Sequence, residues 1–108
     1  MKNNTLDING LHIDVASLGK MYLTKVLPYY AYENKERTDR VEGYKYVVVM
    51  PMMEFSSLAV KIEGSQLMSV ERGDETVVQF DNLIVKLYYD VKAGTYRLSA
   101  RAEGISEV

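Results

Sequence analysis

The chain has 108 residues, 47% hydrophobic and 26% charged, with 13 basic against 15 acidic side chains and one histidine. That size holds a single domain, 1–108, with a real core, and a formal charge of -2 argues at first sight against a nucleic-acid partner. The lack of cysteine excludes a disulfide framework, a thiolate zinc site and a cysteine nucleophile, and agrees with a reducing compartment.

Residues 1–8 are polar and lack the apolar segment of a secretory signal. They are expected to be flexible, as are residues 106–108. Residues 11–15 (LHIDV) alternate apolar and polar, the period of a half-buried strand. A short helical turn is expected around residues 14–20, interrupted by Ser17 and Gly19. Residues 21–32 form a long extended run in which Pro28 marks an edge or a bulge. The charged stretch 33–42 reads as a mobile hairpin loop. Residues 44–50 (YKYVVVM) are dense in β-branched and aromatic types until Pro51 ends them.

A second short helical candidate covers residues 52–57. Residues 57–63 alternate cleanly, with Leu58, Val60 and Ile62 on one side and Ala59, Lys61 and Glu63 on the other. After turn signals at Gly64 and Gly73, residues 76–80 and 83–89 make one bent strand or two consecutive ones. Residues 95–102 close the domain, with Tyr96, Leu98, Ala100 and Ala102 inward and Arg97, Ser99 and Arg101 outward. Five to seven short strands with little helix point to a mostly β fold, a small OB-like barrel or a strongly curved antiparallel sheet. A two-sheet β-sandwich fits the same pattern.

Reactive chemistry finds little support. His12 is the one histidine, where a zinc site normally needs two or more His or Cys ligands. No serine sits in a nucleophile elbow, and the glycines fall singly at turns rather than in a phosphate loop. No catalytic residue, metal or cofactor is expected, and the protein reads as a non-enzyme. The longest apolar run, residues 46–53, contains Pro51 and is too short to cross a bilayer. No membrane partner is expected, and the location reads as cytoplasmic.

The distribution of charge is more informative than its sum. Lys45, Lys61, Lys86, Arg97 and Arg101 lie inside strand-like runs, whereas the carboxylates concentrate in loops and at strand ends. Nine tyrosines accompany them, with Tyr44, Tyr46 and Tyr88 close to these cations. Single-strand binders combine cations that track phosphates with rings that stack on bases. Lys86 and Tyr88, two apart, share a face, whereas Lys45 faces away from both Tyr44 and Tyr46. Cations on a solvent face also serve the plainer purpose of blocking edge-to-edge aggregation. The cluster Met50, Met52, Met53 and Phe55 around Pro51 offers a second reading, since methionine adapts to irregular partners: a protein-interaction module that docks through residues 50–55 or an exposed edge strand, without nucleic-acid contact. The cluster's plainer role is to close one end of the barrel.

The succession GYKYVVVMP, FSSLAVKIEG, VVQFDNLIVKLYY and YRLSARAEGI resembles a family of small accessory proteins of Gram-positive conjugative elements and plasmids. The matching positions are Gly43, Tyr44, Tyr46, Val48, Val49 and Pro51, then Phe55, Val60, Lys61 and Gly64, and finally Ala102, Gly104 and Ile105. They cover roughly residues 22–105 and are mainly fold-determining. The resemblance implies support for replication or conjugative transfer, for example of a helicase or relaxase on single-stranded DNA, whereas the cationic face by itself suits single-stranded DNA or RNA. The resemblance brings no catalytic motif.

Overall fold

The computed structural model describes residues 12–70 and 76–108. The expectations for residues 1–8, Leu11 and Gly73 lie outside them. Seven strands follow in chain order: β1 (Met21–Glu33), β2 (Glu36–Met50), β3 (Ser56–Glu63), β4 (Thr76–Asp81), β5 (Ile84–Asp90), β6 (Thr95–Arg101) and β7 (Gly104–Glu107). All join one mixed sheet in the order β5-β6-β3-β2-β1-β4-β7, curled into a half-barrel. The mostly β expectation with a curved sheet or small barrel therefore holds. The sandwich does not, because all seven strands belong to one sheet.

The curl follows from how the chain returns on itself. β1, β2 and β3 form an antiparallel meander. β4 and β5 are consecutive and meet at a corner where Asn82 takes φ 53°, as the bent-strand reading of residues 76–89 anticipates. β6 and β7 bend at the same level, so β4 pairs with β7 while β5 pairs with β6. This bent hairpin grips both edges of the meander, β6 parallel to β3 and β4 antiparallel to β1. Residues 106–108 are accordingly no free tail. Ser106 and Glu107 pair with β4, and the Val108 N–H donates to the Val77 carbonyl at 2.9 Å.

One face of the sheet is apolar and lines the inside of the curl. Leu58, Val60 and Ile62 of β3 are buried there with Tyr46 and Val48 of β2, Val85 of β5 and Ala100 of β6. The expected strand at 11–15 shrinks to a bridge between His12 and Lys86, with the Ile13 N–H donating to the Val85 carbonyl at 2.8 Å. Asp14 then caps a 3-10 turn at Val15–Leu18 through the Ala16 N–H, and Leu18 enters the core. The second helical candidate is a single 3-10 turn at Pro51–Met53.

Residues 33–42 are mostly strand rather than loop. The turn is only Asn34 and Lys35, both at positive φ (51° and 66°), the conformation of a tight two-residue hairpin. The Thr38 hydroxyl donates to the Ala31 carbonyl at 2.7 Å, and Arg40 pairs with Glu33 at 3.3 Å. Pro28 sits where β1 has β2 on one side only, since β4 pairs no further than Met21, Tyr22 and Leu23. A missing N–H costs nothing at such an edge.

Candidate nucleic-acid interface

The register fixes which side chains share the outer face. Lys45 of β2 stands opposite Lys61 of β3, and Lys61 is level with Arg101 of β6. Neighbouring strands are about 4.8 Å apart, so the three cations form a row of about 10 Å running across the strands. Arg101 is paired in turn with Ile84 of β5. Towards the β5–β6 turn, Lys86 faces Ser99 and Tyr88 faces Arg97. Alternation places Ala59, two residues from Lys61, on this same face. All five cations expected from the sequence thus lie opposite the buried set of Tyr46, Val60, Val85 and Ala100.

Small residues between long ones make a shallow groove of about 710 Å³. Ala59, Ser99 and the backbone around Ala100 form its floor, and Lys45, Lys61, Lys86, Arg97 and Tyr88 stand around it. Among the described residues, ion pairs within 4 Å are confined to Arg40–Glu33 and Arg97–Asp90. Lys45, Lys61, Lys86 and Arg101 therefore have no described carboxylate neutralising them at contact distance. The Lys61 ammonium lies 5.3 Å from the centre of the Tyr29 ring, a cation–π contact that orients it without cancelling its charge. Like charges facing one another across strands destabilise a sheet, by about 0.2–1 kcal/mol a pair. The Lys45–Lys61–Arg101 row keeps two such neighbours.

Arg97 is held differently. Its Nε lies 2.8 Å from Asp90 Oδ2, while Asp90 Oδ1 accepts the Lys92 and Ala93 N–H groups in the β5–β6 turn. The carboxylate both builds the turn and offsets Arg97. In Asp90→Asn the amide oxygen retains the two backbone bonds, and the exposed ion pair lost contributes under about 1 kcal/mol. The variant is expected to keep its thermal midpoint within a few degrees and to bind a single-stranded oligonucleotide several-fold more tightly, read by fluorescence anisotropy.

The tyrosines separate by face. Tyr88 is 38% exposed on the groove side with Lys86 and Arg97. Tyr46 is fully buried, its hydroxyl accepting the Leu67 N–H at 2.9 Å, and Tyr44 packs half-buried against the same core. Neither offers a ring to a base, which corrects the expectation for both. The reason is alternation: Tyr44 and Tyr46 flank Lys45 and must point to the other side. Tyr29 is the ring missed in the sequence. It reaches this face because β1 pairs Leu27 with Lys45 and Tyr29 with Gly43, where a Cβ would lie 2.6 Å from the Tyr29 hydroxyl oxygen.

The Met-rich segment divides as well. Met50 is buried in the core, so it is no part of a docking patch. Met52, Met53 and Phe55 are exposed, at 72%, 42% and 70%, and Met52 covers Gly19. Tyr96 and Leu98 also depart from expectation: they lie on the core side of β6 yet are 45% and 39% exposed. The β5–β6 hairpin runs past the end of the core there, and Tyr96 packs edge-on against Tyr89 at 5.1 Å instead. No helix among the described residues is long and apolar enough to cross a membrane.

The fold and face define a small curled β-sheet domain with a cationic outer groove. Compared with family models, curated proteins and solved structures, the chain finds no match.

Proposed function

We propose that this protein is a non-enzymatic binder of single-stranded nucleic acid, using the outer face of β2, β3, β6 and β5. The observation that carries the reading is the Lys45–Lys61–Arg101 row, like charges kept side by side with no carboxylate of the described residues in contact. A polyanion laid across the strands relieves that repulsion. A groove floored by Ala59 and Ser99 suits a flexible single strand, whose phosphates follow the cations while a base stacks on Tyr88. Following the resemblance in the sequence, the biological setting is an accessory role in replication or transfer of a mobile element in the cytoplasm, beside a helicase or relaxase.

Tyr88 gives the test. Stacking on an aromatic ring contributes about 1–3 kcal/mol per base. Tyr88→Ala is expected to weaken oligonucleotide binding about 5- to 150-fold, whereas Tyr88→Phe keeps it within about twofold. Equal losses in both variants would speak against stacking, and no loss in either would remove Tyr88 from the site.

A second reading has its own observation. Glu54 and Phe55 both adopt positive φ (56° and 60°), a conformation costly for non-glycine residues, and the turn holds the Phe55 ring out in solvent. In that reading Met52, Met53 and Phe55 dock a partner protein, and the cations serve solubility.

A further inference from the structure

Beyond Lys61 and Arg101 the outer face opens into a second cleft, of about 570 Å³, which shares those two cations with the row just described. Its other walls come from separate parts of the chain: Glu42 on β2, Glu63 on β3, Glu103 between β6 and β7, and Asn82 at the β4–β5 corner. None of these carboxylates is within 4 Å of a cation among the described residues. Nor do they gather closely enough to hold a metal ion, since no group of three or more His, Cys, Asp or Glu among the described residues does so. Tyr29 lines the cleft, and its hydroxyl stays protonated, its pKa raised by burial first and then by Glu63 and Glu42. The cleft is therefore lined by donor-only cations, shared with the row, and by acceptor-only carboxylates with one amide.

That polarity matches one end of a nucleotide to the other. Phosphate suits Lys61 and Arg101, and a base edge carrying N–H donors suits the carboxylates. A carboxylate accepts from cytosine N4–H, and the amide of Asn82 is able to donate to the neighbouring ring nitrogen. Thymine and uracil place a carbonyl oxygen where cytosine has its amino group, so acceptor would meet acceptor. We propose that this cleft is a base subsite selecting a base that carries an exocyclic amino group over thymine or uracil. The inference rests on the single-strand reading of the adjoining groove and adds a preference to it.

Oligo-dC and oligo-dT of equal length share ring size and charge and differ at this edge, so they form the test. Each is titrated by anisotropy at low salt into the full chain and into Glu42→Gln, Glu63→Gln and Glu103→Gln combined. Oligo-dC is expected to bind on the order of tenfold more tightly than oligo-dT to the native chain. In the triple variant, oligo-dT tightens and the ratio collapses towards one, while far-UV circular dichroism stays unchanged. A native ratio near one, or a ratio that survives the three substitutions, overturns the subsite and leaves the groove standing. Failure of both oligonucleotides to bind overturns the groove reading and the subsite together.

Discussion

Replacing Lys45, Lys61 and Arg101 together by threonine is expected to remove most of the salt-dependent affinity for a single strand and to leave the fold at least as stable. The two effects have one cause. The three side chains stand level on adjacent strands, with no described carboxylate in ion-pairing contact, so each strains the free protein and each is available to a phosphate. For single strands, log K falls against log salt with a slope of about -0.7 per neutralised phosphate. Four unpaired cations give a slope of about -3, which is roughly a 50-fold loss between 50 and 200 mM salt. With Lys86 alone remaining, the slope drops to about -0.7 and the loss to about threefold. Threonine is a good strand former, and removing two like-charge neighbours returns about 0.2–1 kcal/mol each. Anisotropy titrations at several salt concentrations and a denaturant melt read the two halves separately. A purely structural role for the row predicts a less stable variant, opposite in sign.

The second large effect concerns Tyr46, which the sequence places beside the cations and the fold places in the centre of the core. Tyr46→Ala removes a fully buried ring from between β1 and β3, at a cost of about 3–5 kcal/mol. Against a total stability of about 5–15 kcal/mol for a small domain, the variant is expected to be largely unfolded or to melt far below the native chain. Tyr46→Phe keeps the ring and loses only the bond accepted from the Leu67 N–H, at about 0.5–1.5 kcal/mol. It should remain folded and bind oligonucleotide as the native chain does. Reduced affinity in folded Tyr46→Phe would restore Tyr46 to the binding face. Urea melts of both variants with one titration of the second decide the matter.

What the sequence discloses depends on whether the two faces of an element differ. In residues 57–63 one face is buried and the other solvated, so alternation alone gives Leu58, Val60 and Ile62 inward and Lys61 outward, as found. The same parity relates Lys86 to Tyr88. Residues 36–42 lack that contrast: this half of β2 runs out along an arm with no core beneath it, and its charged residues resemble a loop. In YKYVVVM alternation already sets Tyr44 and Tyr46 opposite Lys45, but both faces carry apolar residues, so the pattern alone does not say that the tyrosine face is the buried one. β7 is short and half polar, and only its pairing with β4 makes it a strand. The parallel pairing that sets Lys61 beside Arg101 joins residues 40 positions apart, a relation no local pattern contains. Convergence of the cations is thus readable as an expectation of parity, while the row itself is a product of topology.

In this reading the outer face of β2, β3, β5 and β6, with the cleft that adjoins it at Lys61 and Arg101, meets a single strand, and the 52–55 segment does not. Backbone amide shifts recorded while a short oligonucleotide is added to the labelled full chain test it most directly. Saturable changes are predicted at Lys45, Lys61, Lys86, Tyr88, Ser99 and Arg101, fading as salt is raised, with Met52, Met53 and Phe55 unmoved. Changes confined to the 52–55 segment, or a spectrum that does not respond at low salt, would contradict it.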